Sequence, residues 1–390
     1  SVAVLPFANL SGREAQSYFS DGITEEIINA LSRVSGLLVI SRTSSFAYKG
    51  QPIDIKEVGR ELGVRYVVEG SVRRAGERVR ITAQLVDAKT GSHLWAERYD
   101  RKLEDTLDMQ DEVARRIVSS LSVELSEAER RSLARRYTND VEAYDYFLRG
   151  QAEFVRHTAA ANERARAMLD KAIERDPAFA RAYAAKALTY ADAYRFSWGD
   201  DADFAARQAL GLARKAVSLD IDSPETHWVL GYVELFVSDD PEAALEAGRR
   251  ALALEPSNAD AHALLAVSHL YVSEPDRARE LIQKAMRLNP HYPSQYPSVL
   301  GYAHFFSGRY DNARVALEEA IEQNPERTPP NVYLVATHMR AGRLEEARWR
   351  ATLLRSIAPQ FDAEAWAQRQ PFVDRNTVKR VVADLRRAGL

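Results

Sequence analysis

The stretches RARELIQKAMRLNP (Arg277–Pro290) and NARVALEEAIEQNP (Asn312–Pro325) each carry alanine at the second and ninth positions and proline at the fourteenth. The same spacing recurs through the second part of the chain, at Ala165/Ala172, Ala209/Ala216, Ala244/Ala251, Ala278/Ala285, Ala313/Ala320 and Ala347/Leu354. Pro177, Pro256, Pro290, Pro325 and Pro359 follow five of the six pairs at a distance of five residues. Positions seven apart share one side of an α-helix, and a proline soon after the second cannot continue that helix. Successive units lie 44, 35, 34, 35 and 34 residues apart, so a hairpin of two helices is expected to repeat about six times between residues 139 and 360.

A period of about 34 residues is that of the tetratricopeptide repeat, a helical hairpin that buries its apolar face only by stacking on its neighbours. The long first interval is accounted for by an insertion, SWGDDADF (Ser197–Phe204). Residues 361–390 break the period and are expected to form a helical cap, because the last repeat of a stack otherwise exposes an apolar face.

Residues 1–101 predict a different fold class, α/β. SVAVLPF (Ser1–Phe7) is a strand, and a helix is expected after Asp21, with Ile23, Ile27, Ala30, Leu31 and Val34 on one face and Asp21 as its cap. LLVIS (Leu37–Ser41) predicts a second strand and Ile55–Leu62 a second helix. Three strands should then form a meander over Tyr66–Arg74, Arg78–Asp87 and His93–Asp100. In the middle one Val79, Ile81, Ala83 and Leu85 alternate with polar residues, so one sheet face is core and the other wet. The fold class is therefore an α/β domain with a mixed sheet and flanking helices, followed by an all-α repeat region. Helical periodicity from Leu103 leads into a charged linker, EAERRSLARR (Glu127–Arg136), the natural place for the two parts to change their arrangement.

Composition narrows function. The 390 residues carry a formal net charge of -3, and residues 1–137 hold 21 basic and 20 acidic side chains, so no basic excess points to nucleic acid. There is no cysteine, which excludes disulfides, thiolate metal sites and cysteine nucleophiles. No apolar run is long enough to span a membrane, and a soluble chain is expected. Because Ser1 lies directly on a strand without an initiating methionine, it is read as the start of a piece of a longer polypeptide.

Possible chemical motifs are few. FSDGIT (Phe19–Thr24) has one aspartate but no second carboxylate at a useful distance for a two-metal site. The glycines around Val58–Gly63 lack phosphate-loop spacing and its lysine. His262 and His269 lie seven apart on one helix with no third ligand in the pattern. Arg73, Arg74, Arg78, Arg80, Arg98 and Arg101 could form a basic ridge, but Glu69, Glu77, Glu97 and Asp100 lie among them, as on an ordinary solvated face. Ser41–Ser45 could bind a small ligand at a strand end. No catalytic, cofactor or metal residue is assigned, and the chain is expected not to be an enzyme. The candidate functional residues are instead aromatic, with one valine among them: Phe147 and Phe154 in the first repeat, then Trp228, Tyr232, Phe236, Val267, Tyr271, Tyr302, Phe305 and Phe306. At these positions of the first helix of each hairpin they are expected to line a groove for a protein or peptide, where rigid rings bury area at little entropic cost.

The runs SVAVLPFANLSG (1–12), YFSDGITEEIINALSRVSGLLVISRTSSFAYKG (18–50) and ELGVRYVVEGSVRRAGERVRITAQLVDAKTGSHLWAERYDR (61–101) resemble the TolB-like amino-terminal domain of bacterial multidomain signalling proteins. That resemblance covers residues 1–125. The charge density gives a helical linker at 126–138 and the period gives repeats at 139–360, and the resemblance implies that repeats follow the domain and that QPFVDRNTVKRVVADLRRAGL (Gln370–Leu390) is the family's usual carboxyl end. It further implies an upstream class III adenylate cyclase, winged-helix or serine/threonine kinase domain, often with an intervening membrane span that would tether the module to the inner membrane on either side. The expectation is the regulatory part of a cyclase signalling through cyclic AMP. The alternatives are the sensory part of a winged-helix transcription regulator and a constitutive homo-oligomeric scaffold.

Overall fold

The structure, a computed structural model, describes residues 1–12 and 14–390. The sheet is built from β1 (Val2–Val4), β2 (Ala8–Asn9), β3 (Tyr66–Ala75), β4 (Arg78–Asp87) and β5 (Ser92–Lys102). Its order is β1-β3-β4-β5, with β2 continuing along the far end of β3. β1 and β2 run parallel to β3, and β3, β4 and β5 form the antiparallel meander. The alternation in β4 sets the faces: Val79, Ile81, Ala83 and Leu85 are fully buried beneath α1 (Ser17–Ser32) and α4 (Thr106–Ser120). On the open face Asp100 receives both Arg78 (2.7 Å) and Arg80 (2.6 Å), so part of the arginine ridge is neutralised by its own sheet. Two short helices, α2 (Arg42–Phe46) and α3 (Ile55–Glu61), complete the α/β part. Val58 of α3 joins Leu5, Ile40 and Val67 in a smaller core.

Two sequence expectations are corrected. Asp21 does not cap a helix: α1 begins four residues earlier, and Asp21 lies within it, 2.5 Å from the Lys49 ammonium. Leu37–Ser41 is not a strand. Only Val39 bridges to Val2, where the Val2 N–H donates to the Leu38 carbonyl (2.9 Å) and the Ile40 N–H to the Val2 carbonyl (3.0 Å), and the ends of the run are held by groups from far along the sequence. The Ser257 hydroxyl donates to the Leu37 carbonyl (2.9 Å) and the Ser41 N–H donates to the Leu288 carbonyl (2.8 Å). With its end groups satisfied in this way, the run needs no sheet pairing beyond the single bridge to Val2.

Helices fill the remainder. After α5 (Glu127–Leu133) come six successive pairs: α6 (Val141–Phe154) and α7 (Ala159–Arg175), α8 (Ala180–Arg195) and α9 (Ala202–Leu219), α10 (Pro224–Phe236) and α11 (Pro241–Leu254), α12 (Ala259–Tyr271) and α13 (Pro275–Leu288), α14 (Gln295–Phe306) and α15 (Tyr310–Gln323), and α16 (Thr328–Arg340) and α17 (Leu344–Ile357). The chain ends in α18 (Ala363–Gln368) and α19 (Arg375–Ala388). Every residue of the six spaced pairs lies on the second helix of its hairpin and is 0% exposed, which explains the eleven alanines: they sit where helices touch. No helix among the described residues is long and apolar enough to cross a membrane.

By compactness the residues form two units. One comprises Ser1–Ser238 with Arg250–Asn258 and Leu288–His291, and the other comprises Asp239–Arg249, Ala259–Arg287 and Tyr292–Leu390. In the first, the α/β layers and the first hairpins share one core, in which Phe19, Ile23 and Ile27 of α1 pack with Phe147, Leu148, Leu169 and Phe179. Gly22 permits this approach, since a Cβ there would lie 2.5 Å from a Leu148 methyl. The charged linker is also fixed. Ser126 and Glu129 cap α5 reciprocally, Glu129 accepts from the Ser35 N–H at 2.8 Å, Leu133 is buried, and Arg135 and Arg136 pair with Asp220 and Asp108. A segment held at each of these points is not the free hinge its charge suggests.

Candidate partner-binding site

The ten aromatic-groove candidates do not form one surface. Phe147 is buried, tilted 5.0 Å from Phe179, and Phe305 is fully buried among Phe306, Tyr310 and Tyr333 with the Arg340 guanidinium 4.5 Å above its ring. Both are corrected from groove-lining to core, because the first helices also pack against their neighbours and these two registers point into that packing. Phe154 and Val267 are half-buried. The others fall into two clusters, one in each unit.

In the first unit Trp228, Tyr232 and Phe236 succeed one another at helical spacing along α10, with ring centroids 5.7 and 5.0 Å apart. The exposed Arg195, at the end of α8, lays its guanidinium 4.3 Å above Phe236 and 5.1 Å from Tyr232, and donates to the Tyr232 hydroxyl. Tyr232 in turn donates to Asp192 at 3.3 Å, and His157 stands 3.7 Å from the same carboxylate. Burial raises the Asp192 carboxyl above its ordinary range, opposed by Arg195 and His157, and burial pushes the Tyr232 phenol up to about 12. Beside them Phe196 and Trp198 stack at 5.2 Å, with the His157 ring edge-on at 4.8 and 5.3 Å, and Phe196 is 43% exposed. The arrangement presents apolar faces, one aromatic-held cation and a buried carboxylate. It can hold a peptide by ring contact and by cation–π and charge-assisted contacts, and it offers no nucleophile with an activating base.

Sequence spacing found the α10 rings but missed Asp192, Arg195, Phe196, Trp198 and His157. The insertion SWGDDADF was the available signal, since it supplies Trp198 and directly follows Phe196.

In the second unit Tyr271, Tyr302 and Phe306 are brought together with Tyr333 of α16. Tyr302 and Tyr333 lie 4.3 Å apart, and Phe306 and Tyr333 lie 5.6 Å apart. Burial raises both phenols. Trp366 and Phe372 reach this cluster from the carboxyl-terminal segment, at 5.7 Å from Tyr333 and 5.3 Å from Phe306 respectively.

The remaining polar features are structural. Ser41–Ser45 does not form an open ligand site: Ser44 is buried, donates to Asn289 at 2.5 Å and accepts from the His291 N–H at 2.8 Å. A buried ionic group joins Arg181 to Glu26 (2.8 Å) and Glu225 (3.4 Å), and Arg33 and Arg181 both face the Tyr137 ring. Burial and the neighbouring Glu225 carboxylate push Glu255 up to about 8. The adjoining cavity, lined by Glu26, Arg33, Tyr137 and Arg181, has about 30 Å³, the scale of a water molecule. His269 is engaged by Glu274 at 2.6 Å, and among the described residues no three metal-ligating side chains converge.

Comparison with known proteins agrees with the repeat architecture. Residues 307–369 match the tetratricopeptide repeat, and residues 1–117 match the second domain of HilA/YgeH-like transcriptional regulators. The TolB-like resemblance thus rests on the sequence runs alone. A Rhizobium meliloti (strain 1021) protein named "Putative adenylate cyclase 3" is 50% identical over 230 residues, which cover 59% of this chain and 39% of that protein. Among solved structures, Pseudomonas aeruginosa PilF matches with 19% identity and a TM-score of 0.45, covering 56% of this chain and 93% of PilF. YrrB, described as a TPR protein with an unusual peptide-binding site, matches with 21% identity and a TM-score of 0.38, covering 49% and 93%. The chain thus joins an amino-terminal α/β part to a run of helical hairpins, of which residues 307–369 are similar to the tetratricopeptide repeat.

Proposed function

We propose that this chain is the non-catalytic regulatory part of a bacterial signalling protein whose effector is an adenylate cyclase, with a protein or peptide partner bound at the Trp228, Tyr232, Phe236 and Arg195 surface. The proposed division is a TolB-like domain at 1–125, a fixed helical connection at 126–138, repeats at 139–360 and a cap at 361–390. The observation that carries the partner surface is the Arg195 guanidinium held over Tyr232 and Phe236 while remaining exposed. The 50% identity to a named cyclase over 230 residues supports the effector. Partner binding would alter output only by favouring one arrangement of the parent over another.

The test measures cyclic AMP formation by the parent polypeptide and by its Arg195→Ala/Tyr232→Ala variant, beside this chain alone with ATP and Mg²⁺. The expected result is no product from the chain alone and a changed cyclase output in the variant. An unchanged output refutes the surface, and product from the chain alone refutes the non-catalytic assignment. A second reading, the sensory part of a transcription regulator, is favoured by the match of residues 1–117 to the HilA/YgeH-like second domain. It predicts a helix-turn-helix upstream in place of cyclase aspartates. A constitutive scaffold would instead give a homo-oligomer whose mass is insensitive to the same variant.

A further inference from the structure

In the second unit the chain lies across its own first-helix faces. After α18 the backbone leaves helical conformation, and Gln370 and Pro371 lead into Phe372, which is only 4% exposed although the residues on either side are more open. The Phe372 ring sits between Tyr271 of α12, edge-on at 5.0 Å, and Phe306 of α14, at 5.3 Å. The next residue, Val373, donates its N–H to the Tyr271 carbonyl at 3.0 Å. Trp366, six residues earlier, faces Tyr333 of α16 at 5.7 Å. The segment therefore crosses three successive hairpins against chain order, anchored by two rings and one backbone hydrogen bond. A non-helical segment with one deeply seated side chain, a main-chain hydrogen bond and an exposed neighbour combines the pocket and backbone contacts by which peptides are held in grooves.

We propose that the pocket between Tyr271 and Phe306 is a docking site for an extended peptide with a single aromatic anchor, and that Gln370–Val373 is its resident, displaceable occupant. This rests on the reading of the chain as a peptide-binding module, but concerns a different surface from that of Arg195. The partner chemistry follows from the occupant: a phenylalanine-sized ring for the pocket, followed by a residue with a free backbone N–H for the Tyr271 carbonyl. A proline directly after the anchor would be rejected because it lacks that donor.

The probe is the fluorescein-labelled peptide RQPFVDR, the sequence of Arg369–Arg375, titrated into the full chain and into its Phe372→Ala variant. Emptying the pocket in cis should tighten peptide binding at least tenfold. Replacing the peptide's phenylalanine by alanine, or adding Phe306→Ala to the variant, should abolish it. A folded Phe372→Ala chain that does not bind the peptide, or binds it no more tightly than the parent chain, overturns the proposal. Should that variant not fold, hydrogen exchange on the parent chain decides. The Val373 amide should exchange much faster than the Val381 and Val382 amides of α19, and faster still with excess peptide. Equal protection at all three would mean that the segment is a fixed part of the core. Because the peptide is the chain's own, failure here leaves the Arg195 surface untouched, and that surface is read separately by its own variant.

Discussion

Gly22 and Leu148 provide a direct test of whether the α/β part and the first repeat are one folded body. Replacing Gly22 by alanine inside α1 should gain about 1 kcal/mol from helix propensity. The new Cβ, however, would lie 2.5 and 2.8 Å from the Leu148 methyls, about an ångström closer than ordinary carbon contact. Overpacking of a filled core costs about 1–3 kcal/mol, and the flexible end of Leu148 lets part of that relax, so Gly22→Ala should destabilise by about 0–2 kcal/mol net. Leu148→Ala alone removes a buried side chain and should cost about 2–5 kcal/mol. In that background the clash is gone while the helix gain remains, so Gly22→Ala should now stabilise by about 1 kcal/mol. Urea denaturation of the four proteins of this cycle, followed by circular dichroism, gives the coupling, expected at about 1–3 kcal/mol. The same effect of Gly22→Ala with and without Leu148 would refute the shared core between α1 and α6.

Three further outcomes follow from buried polar groups. Arg181→Met leaves Glu26 and Glu225 buried without their cation and should cost about 3–5 kcal/mol, with partial recovery on adding Glu225→Gln; thermal melts at pH 7 read both. Ser44→Ala strands the His291 N–H and the Asn289 side chain, so it should cost about 1–3 kcal/mol and speed hydrogen exchange at residues 288–291 without changing it in α19. His269, His304 and His338 recur at one repeat register, and burial lowers the pKa of each, against Glu274 at the first, Asp276 at the second, and Glu318 and Glu346 at the third. A histidine with a lowered folded pKa takes up its proton more readily in the unfolded chain. Its stabilising contribution is therefore present above the unfolded value of about 6.5 and is lost as pH falls below it. The melting temperature of the second unit should drop from pH 7 to pH 5, and His304→Gln should flatten that drop; an unchanged slope would contradict the assignment at His304.

What was legible in the sequence was whatever repeats or alternates. The spaced pairs located helix contacts because five of the six hairpins use alanine at both positions of the same crossing, the sixth using Ala347 and Leu354, and all of them are fully buried. The valine, isoleucine, alanine and leucine alternation in β4 gave the inner face of the sheet for the same reason. Leu37–Ser41 was misread because its apolar character is equally suited to a strand and to a segment clamped by Ser257 and Leu288, more than 200 residues away. Helical spacing placed Trp228, Tyr232 and Phe236 correctly on one face, yet it could not separate Phe305, directed into the core, from Phe306 beside it. Adjacent positions on a helix differ by only about 100°, and which of two rings is covered depends on the neighbouring helix.

The fixed state of α5 changes where any signal would have to travel. A charged run such as Glu127–Arg136 suggests a mobile joint, because exposed ion pairs contribute little rigidity. Here the helix is held instead by its buried Leu133, by the Glu129 contact to Ser35 and by the Arg135 pair with Asp220. The α/β part is also clamped at Ser41 and Ser44, at the start of α2, by residues 288–291. Within the first unit, therefore, an event at Arg195 cannot swing the α/β domain about a single point; it must shift packed elements together, and the bistability of a close-packed core is what makes such a shift all-or-none. A consequence is that weakening the clamp with Ser44→Ala should alter the response to a partner more than neutralising exposed charge at Glu127 and Arg131, whose separation of 3.8 Å on the surface restrains nothing. The opposite ranking would restore the linker as the joint.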